Sequence, residues 1–463
     1  MKMKFIHTAW AGLTLIYLLA SCGVDRSGEY YALIADKTWI YETMQQNYLF
    51  YEDIPAESEL NFFDKPDEFL RSASSQSDQK NGTYFSHVDS VSVSRAMSEY
   101  PTFGFEAATV RTNSGNALRV IYVEPDSPAT EAGLKRGDWI IAVDGNEISS
   151  NDYEEYVSRP TQAHSFTLGS YNPYDENEDE ELYVEFDTIG TVELAAPRYI
   201  EQHNILTTNT LVTSDGHRAF YMLYNEFGED GDELQFAFSG ISSSDDIILD
   251  LRYNPGGYVS TSQILSTLLA PQSAVGQTFL NMTYNDKINK TETLTFDASL
   301  LSGGAPLSYR NLYIITSSNT ASASEIVINC LKPYMEGRLF QVGTATFGKN
   351  VAQQCFTNEA SPYLELWLTT SLLSNSENFS DYYDNGLAPD FEMEEDFGGD
   401  LYELGSEDEA LLQTVLYHVS NGAFPSATST GSAVSARSSR AYNSGWKVLS
   451  NSIDRKPKLN KFR

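Results

Sequence analysis

The stretch that decides the fold reads Ile-Ile-Leu-Asp-Leu-Arg-Tyr-Asn-Pro-Gly-Gly and spans residues 247–257. An apolar run of this length that ends in a Pro-Gly-Gly turn indicates a strand buried on both faces of a sheet. The paired glycines, Gly256 and Gly257, let backbone N–H groups approach a ligand with no side chain in the way. Such a turn suits an oxyanion hole, although most turns of this kind have only a structural role.

Similar apolar runs recur on both sides of this stretch and alternate with helical patterns. The runs lie at residues 219–224, 312–316 and 338–342, and the helical patterns lie at residues 260–269 and 322–331. Alternation of this kind predicts an α/β core with a mixed or parallel sheet, which we place at residues 193–422. Residues 278–297 alternate threonine with apolar residues and predict a β-hairpin insertion beside the cleft.

A serine stands where a strand is predicted to turn into a helix, within the run Thr-Ala-Ser-Ala-Ser-Glu-Ile at residues 320–326. At such a turn Ser322 is held near a helix N-terminus, whose partial positive charge favours an anion. The alternative is an ordinary N-cap, because serine is preferred there and Glu325 three residues later fits a capping box. On these residues alone, both interpretations stay open.

One lysine, Lys349, follows a glycine between the apolar residues Phe347 and Val351. A serine hydroxyl becomes a good nucleophile only when a base removes its proton, and a lysine can be that base only when it is neutral. The ordinary lysine pKa is about 10.4, so burial would have to lower it substantially. The alternative is a surface lysine in a turn.

Residues 86–192, upstream of the α/β core, have the pattern of a small β-rich domain. The pattern consists of strands at 118–123 and 139–143, a helix between Pro128 and Gly133, and a hairpin turn at Asp144-Gly145. This domain resembles a PDZ domain. The resemblance implies that Phe103, Gly104, Phe105 and Glu106 form a loop that binds a peptide C-terminus while the peptide adds as a strand. The alternative is a packing domain with an idle groove.

The first 85 residues hold two different segments. Residues 1–22 combine a basic start, an apolar run and the ending Leu-Ala-Ser-Cys, which is the pattern of a secretory signal. The ending resembles a bacterial lipobox, which implies cleavage before Cys22 and a lipid on Cys22 as the membrane attachment; a plain signal with an incidental cysteine is the alternative. Residues 23–85 predict a helical region, because apolar residues recur at helical spacing from Trp39 to Tyr48 and Pro55 ends the pattern.

Composition limits the possible partners. The 463 residues carry a formal net charge of −34, which disfavours binding to nucleic acid. Six acids crowd residues 175–181, where a calcium site is conceivable but a solvated loop is the simpler interpretation. Cys330 and Cys355 either pair in an oxidising compartment or remain buried thiols. Residues 423–463 are rich in Ser and Thr, carry eight Lys or Arg and one Asp, and predict a disordered or loosely attached tail.

The segments at 247–257, 320–326 and 342–353 together resemble those of the C-terminal processing (tail-specific) peptidases, serine peptidase family 41. The order along the chain is similar too: lipoprotein signal, helical region, PDZ-like domain and α/β protease core. The resemblance implies these roles: Ser322 as nucleophile, Lys349 as general base, Gln353 as the residue that orients the lysine, and the N–H groups of Ala323 and of Gly256 or Gly257 as the oxyanion hole. It implies no cofactor and no metal. None of the six histidines lies in these segments, which disfavours a Ser-His-Asp arrangement.

The implied function is that of a serine endopeptidase in the bacterial cell envelope, acting on proteins or peptides with apolar C-termini. Two other classes stay open, a catalytically silent PDZ lipoprotein and a carbohydrate-handling envelope protein, although no motif supplies the paired carboxylates of the latter. The chain departs from the family pattern where Asn350 follows Lys349 and where residues 332–338 lengthen the connection that separates Ser322 from Lys349 by 27 positions. The sequence leaves the oligomeric state open.

Overall fold

A computed structural model describes residues 27–90, 98, 100–112, 115–149, 154–174, 183–229, 231–426, 447–455 and 459–462. The predicted signal with Cys22 and the acidic run at 175–181 lie outside these residues. The α-helices of the described residues are α1 (Ser27–Asn47), α2 (Pro66–Ala73), α3 (Pro128–Glu131), α4 (Asp232–Ala237), α5 (Val259–Leu269), α6 (Ala323–Leu331) and α7 (Ala410–Asn421). Within this part of the chain, no helix has the length and apolar character needed to cross a membrane.

The β-strands follow in chain order. They are β1 (Gln79–Lys80), β2 (Thr83–Tyr84), β3 (His87–Ser90), β4 (Phe105–Thr112), β5 (Gly115–Val123), β6 (Trp139–Val143), β7 (Asn146–Glu147), β8 (His164–Tyr174), β9 (Tyr183–Leu194), β10 (Ile205–Val212), β11 (Arg218–Tyr224), β12 (Asp246–Asp250), β13 (Gly256–Tyr258), β14 (Thr278–Tyr284), β15 (Thr291–Thr295), β16 (Leu312–Thr316), β17 (Leu339–Gly343), β18 (Val351–Asn358), β19 (Ser361–Ser374), β20 (Phe391–Glu392), β21 (Lys447–Asn451) and β22 (Leu459–Phe462).

The α/β core is built on a mixed sheet in the order β10-β11-β12-β16-β17-β20. The strands from β11 to β20 are parallel, and β10 runs antiparallel to β11. Strand β12 is buried along its whole length because its side chains alternate between two hydrophobic clusters: Ile247 and Leu249 belong to one, and Ile248 belongs to the other. The predicted α/β core with a mixed sheet is confirmed.

A second sheet lies beside the core, in the order β13-β22-β18-β19-β14-β15, with β3 pairing to β19. Strands β14 and β15 form an antiparallel hairpin, and β14 also pairs with β19. They are the predicted hairpin insertion at 278–297. This sheet matters for the site, because β13 carries the paired glycines and β18 begins two residues after Lys349.

The PDZ-like domain has its own sheet, in the order β21-β4-β5-β6-β8-β9, with β7 pairing to β6. Helix α3 begins at Pro128, where Ser127 Oγ accepts a hydrogen bond from Thr130 N. Phe103, Phe105 and Phe166 fill the core of this domain in edge-to-face contacts. The predicted β-rich domain with its short helix is confirmed.

The N-terminal helical region packs on the second sheet. Ile40 and Met44 of α1 are fully buried against Leu366 and Leu368 of β19. The helix ends at Asn47, earlier than the proline that was predicted to end the pattern. The reason is a tertiary hydrogen bond: Leu49 N donates to Thr369 O of β19 at 2.9 Å, so the chain leaves the helix to join the sheet.

The structure differs from two predictions: the boundary of the domain at 86–192 and the disorder of the C-terminal tail. Strand β3 lies within the predicted domain 86–192, yet it pairs with β19 in the protease sheet, because strand periodicity does not specify which sheet a strand joins. The tail was predicted to be disordered, but β21 pairs antiparallel with β4, and β22 pairs parallel with β13 and β18. The polar composition of the tail predicted that it would bury little surface. Open strand edges elsewhere in the chain instead provide hydrogen-bond partners for the backbone of β21 and β22.

Candidate active site

Ser322 stands at the sharp turn between β16 and α6, as predicted. Its φ is 66° and its ψ is −117°. A non-glycine residue with such angles costs on the order of 1–3 kcal/mol and persists only where its surroundings hold it. The Ser322 side chain makes no capping hydrogen bond, and its buried Oγ has no hydrogen-bond partner among the described residues. A strained turn with an unpartnered hydroxyl fits a nucleophile better than a simple N-cap, and the catalytic role of Ser322 stays a prediction.

Glu325 holds the turn in place. Its Oε2 accepts hydrogen bonds from Ser322 N at 2.7 Å and from Lys349 N at 2.8 Å, so one oxygen atom joins the two candidate catalytic segments. Its Oε1 accepts from Gly348 N and from Thr346 Oγ1, each at 2.6 Å. Burial raises the pKa of Glu325, and these hydrogen bonds oppose that effect without reversing it.

Lys349 is completely buried, which contradicts its alternative as a surface lysine. Its Nζ donates to Gln353 Oε1 at 2.5 Å and lies 4.9 Å from the centroid of the Phe85 ring. The pairing of β18 with β19 shifts register between Ala352 and Gln353, and such irregularities re-aim side chains at active sites. The structure thus brings Gln353 to the amine that it was predicted to orient.

A chain of hydrogen bonds continues from Gln353 into the N-terminal region. Gln353 Nε2 donates to Thr369 Oγ1 at 2.9 Å, and Thr369 Oγ1 donates to Asp78 Oδ1 at 2.6 Å. Tyr48 OH donates to the other carboxylate oxygen of Asp78 at 2.9 Å. Burial raises the pKa of Asp78, against the opposing hydrogen bonds of Ser86, Thr369 and Tyr48 and the charge of Lys349. We call Glu325, Lys349, Gln353, Thr369 and Asp78 the Lys349 network.

The structure distinguishes the two glycines proposed for the oxyanion hole. Gly256 N donates to Asn254 Oδ1 at 2.9 Å, so its N–H is already used. Phe227 N donates a hydrogen bond to Gly256 O, and Tyr258 N donates one to Phe227 O. Because the polar backbone groups of successive strand residues point alternately to the two edges of the strand, the N–H of Gly257 faces the edge opposite Phe227. Ala323 is the first residue of α6, where a helix leaves N–H groups without partners inside the helix. Gly257 and Ala323 are therefore the candidate donors.

The close approach at Gly257 explains the paired glycines of the opening stretch. Gly257 has a φ of +140°, and a Cβ atom built there would lie 2.1 Å from Phe227 O. Gly348, next to Lys349, has a φ of +97°, and its Cβ would lie 2.3 Å from Tyr383 O. Both turns require glycine because side chains are excluded by conformation and by space.

The two departures from the family pattern have local explanations. Residues 332–338 contain a 3₁₀ turn, Lys332–Tyr334, and Arg338 fastens the end of the connection by donating to Arg310 O at 2.9 Å and Tyr309 O at 2.7 Å. Asn350 Nδ2 donates to Ser380 O at 2.8 Å. The extra length is therefore absorbed before β17, and the asparagine has its own partner.

The predicted peptide-binding residues span the start of β4: Phe103 and Gly104 precede the strand, and Phe105 and Glu106 are its first two residues. Phe103 and Phe105 are buried in the core of the domain, Glu106 is half-buried, and Gly104 has a φ of +78°. Gly104 N donates to Thr102 Oγ1 at 3.1 Å, and Gly104 O accepts from Glu124 N at 2.8 Å. The loop therefore shapes the start of β4, and the binding of a carboxylate there stays a prediction.

A second buried group of charges joins the PDZ-like domain to the core. Arg136 donates to Glu395 at 2.5 Å, and Arg252, which follows β12, donates to Asp250, Glu395 and Glu409 at 2.8–3.1 Å. Burial raises the pKa of Glu409, but the charge and hydrogen bonds of Arg252 and the charge of Arg136 outweigh burial and lower it to about 2. We call Arg136, Arg252, Asp250, Glu395 and Glu409 the Arg252 network.

The remaining reactive residues take no part in this arrangement. Cys330, buried in α6, and Cys355, half-buried in β18, do not form a disulfide, so the disulfide alternative does not apply. Among the described residues, no group of three or more His, Cys, Asp or Glu side chains could hold a metal ion.

Sequence reasoning found Ser322, Lys349 and Gln353 but missed Glu325 and Thr369 as site residues. Glu325 was considered only as half of a capping box, and that same Ser-x-x-Glu spacing was the signal that could have revealed it. Nothing near Thr369 or Asp78 in the sequence indicates that they meet Gln353, because β19 and the N-terminal region reach Gln353 only through tertiary packing.

Three family profiles match the chain. They are the peptidase family S41 at residues 219–393, the peptidase S41 N-terminal domain at residues 35–87, and the PDZ domain at residues 119–163. The crystal structure of a Bacteroides fragilis protein assigned to the S41 proteases is 30% identical, with a TM-score of 0.71, and the alignment covers 83% of this chain and 97% of that one. The chain belongs to peptidase family S41.

Curated relatives agree with this assignment. A carboxyl-terminal-processing protease from Picosynechococcus is 27% identical over 246 residues, which cover 52% of this chain and 53% of that protein. A second one, from Synechocystis, is 26% identical over 286 residues, which cover 60% of each chain. The chain thus spans little more than half the length of the curated relatives that it matches.

Proposed function

We propose that this protein is a serine endopeptidase that hydrolyses peptide bonds with Ser322 as nucleophile and Lys349 as general base. The observation that carries the proposal is the shared carboxylate oxygen of Glu325, which binds the N–H groups of both residues. Further support comes from the strained turn and unpartnered hydroxyl of Ser322 and from the complete burial of Lys349. Family membership supports the same reaction.

The reaction proceeds by acyl transfer. Neutral Lys349 Nζ takes the proton of Ser322 Oγ while Oγ attacks the scissile carbonyl carbon. The N–H groups of Gly257 and Ala323 stabilise the oxyanion. Lys349 then returns the proton to the leaving amine, which leaves an acyl-enzyme on Ser322. Water attacks the acyl-enzyme with Lys349 again as base, and the peptide acid is released. Gln353 keeps Nζ in position through its 2.5 Å hydrogen bond.

The substrates in this proposal are unfolded proteins or peptides with apolar C-termini, which the PDZ domain captures by strand addition. Residues 103–106 contribute the start of the groove. Cys22 is the proposed lipidation site, so the enzyme is attached to a membrane of the bacterial envelope through lipid. Arg252 follows the strand that leads to the glycine turn and contacts the same carboxylate as Arg136, which connects the PDZ domain to the segment that precedes this turn.

The test combines a fluorophosphonate probe, which labels activated serines, with cleavage of fluorescently labelled casein. Wild type should be labelled at Ser322 and should cleave casein, whereas Ser322→Ala should do neither at an unchanged melting temperature. Ser324→Ala, two residues away in the same motif, is the matched control and should retain labelling. Labelling of the Ser322→Ala protein, or cleavage by it, would refute the assignment; a silent binding protein would neither label nor cleave in its wild-type form.

A further inference from the structure

The C-terminal segment of the chain lies in the candidate active site. Strand β22 pairs parallel with β13, where Gly257 stands opposite Asn460, and parallel with β18, where Gln353 stands opposite Lys461. The strand therefore lies between the proposed oxyanion glycine and the residue that orients Lys349. The edge of β13 that it takes is the one that the N–H of Gly257 faces, because Gly256 O and Tyr258 N face Phe227 on the other edge.

A substrate needs that same edge. To place its scissile carbonyl at the oxyanion donor, a peptide has to run along β13 at Gly257. Ser322, Lys349 and Gln353 are completely buried, as are the glycines of β13. Because these residues are covered and the chain's own tail occupies the edge of β13 at Gly257, the site has no room for a second peptide strand.

The same segment also occupies the PDZ domain, which is an independent observation. Strand β21 adds antiparallel to β4, with Lys447 opposite Arg111 and Asn451 opposite Ala108. Ser452 Oγ accepts a hydrogen bond from Ala107 N at 3.0 Å, and Ile453 is completely buried. Addition of a strand to an exposed sheet edge is how domains of this class bind extended peptides. One segment thus binds both sites that a substrate would use.

Charge favours this occupant. The tail carries eight Lys or Arg and one Asp in a chain whose formal net charge is −34. A basic segment on an acidic body associates more readily than a neutral one of equal length. Attachment in the same chain adds a high effective concentration, so even a weak contact is well populated.

We propose that residues 447–455 and 459–462 are a ligand of this chain's own PDZ edge and catalytic cleft, and that they keep the site closed until a substrate displaces them. This inference rests on the proposed peptidase function. In this segment the residues that pair with β4 precede, along the chain, the residues that pair with β13 and β18.

The first test measures casein cleavage by the full chain and by two variants that remove β22 pairing. A stop after residue 458 removes the strand, and Lys461→Pro removes an N–H from the middle of it. If the segment occupies the site for about four-fifths of the time, only about one-fifth of the molecules are open, and the cleavage rate is about fivefold lower than that of an open site. Both variants should therefore cleave casein at least about fivefold faster than wild type. Lys461→Ala, which keeps the N–H, should raise the rate by less than half as much.

Two further measurements cover the case in which a variant folds poorly. A synthetic peptide of residues 447–463 should inhibit the variant truncated after residue 458 more strongly than a scrambled peptide does. In the Ser322→Ala background, truncation after residue 446 should accelerate amide hydrogen exchange in β4 and β18, which lose their neighbouring strands.

The outcomes separate the inference from the proposed function. Faster cleavage by the truncated protein, with inhibition by the native peptide, supports the inference. Equal rates with unchanged hydrogen exchange would overturn it and leave the peptidase assignment standing. If neither form cleaves casein or binds the fluorophosphonate probe, the proposed function fails, while hydrogen exchange still reports whether the tail occupies the two edges.

Discussion

The Lys349 network and the Arg252 network are equally buried, but they balance their charges in different ways. Arg252 has a side-chain exposure of 1%, and it bonds to Asp250 and Glu409, each a carboxylate with an exposure of 4% or less. The attraction lowers the pKa of Glu409 to about 2 although burial acts in the opposite direction, whereas for Asp250 burial raises the pKa in spite of Arg252. Each charge in this network has an opposite charge at hydrogen-bond distance.

The carboxylates of the Lys349 network have no such compensation. Glu325 is bound by backbone N–H groups and one hydroxyl, and burial still raises its pKa. Asp78 is bound by Thr369 and Tyr48, and burial raises its pKa as well. Neutral donors hold these groups in place without fixing them in the charged form.

The difference teaches how one fold separates stability from reactivity. Paired charges hold the PDZ domain on the core, and removal of one leaves another buried and unpaired. The carboxylates around Lys349 are held instead by neutral donors, at a cost in stability that active sites commonly carry. Substitution of the central basic residue, Lys349 or Arg252, should therefore have opposite consequences in the two networks.

The largest expected effect is on activity, from Lys349→Met. Methionine fills a similar volume but cannot accept a proton, so the rate of casein cleavage should fall by at least about 10⁴-fold. The free energy of unfolding should stay equal or rise, because a buried amine is replaced by an apolar chain. Urea unfolding measures the second quantity. A variant that unfolds more easily and keeps one per cent of the activity would contradict both parts.

The same change in the other network, Arg252→Met, should destabilise the protein by about 3–5 kcal/mol, because Asp250 and Glu409 lose their buried partner. Urea unfolding again measures it. Arg198→Met is the matched control: Arg198 and its partner Glu131 are 40% and 59% exposed, and loss of this pair should cost less than about 1 kcal/mol. Similar losses in the two variants would show that the Arg252 network does not hold the domains.

A third prediction concerns acid. The pKa of Glu409 is about 2 in the folded protein, against 4.5 as its ordinary value, so its contribution is present above pH 4.5 and is lost as pH falls towards 2. The gap in unfolding free energy between wild type and Glu409→Gln should be about 3 kcal/mol near pH 6 and should close by about pH 2. Glu57→Gln, at an exposed position, should show a constant gap. A gap for Glu409→Gln that does not depend on pH would contradict the pairing with Arg252.

The smallest effect is expected from Thr369→Val, which cuts the hydrogen-bond chain between Gln353 and Asp78. Loss of the hydroxyl leaves two buried polar atoms unsatisfied, at about 1–2 kcal/mol. As a positioning residue, Thr369 should affect kcat about 5- to 30-fold, shift the pH profile of kcat, and leave KM unchanged. Thr369→Ser should restore the wild-type profile. An unchanged pH profile with a raised KM would assign Thr369 to substrate binding instead.

Much of the fold could be predicted because its signals are local. The apolar run before the glycine turn predicts β12, the serine motif predicts the turn into α6, and proline and glycine bound α3. Strand partners could not be predicted in the same way: β3 joins the protease sheet although its sequence neighbours belong to the PDZ domain. Pairing depends on which edges remain open in the assembled protein, and no local pattern records that.

The sequence by itself determined the elements, the family resemblance, and the residues Ser322, Lys349 and Gln353, because turn chemistry and strand periodicity are set by neighbouring residues. Only the tertiary structure decided the rest. Glu325 became the link between two segments, and Thr369 and Asp78 became the support of the lysine, once packing removed water from all of them. The prediction for the tail changed most: its polar composition predicts disorder, but its described strands β21 and β22 pair with open strand edges of the PDZ-like domain and of the second sheet.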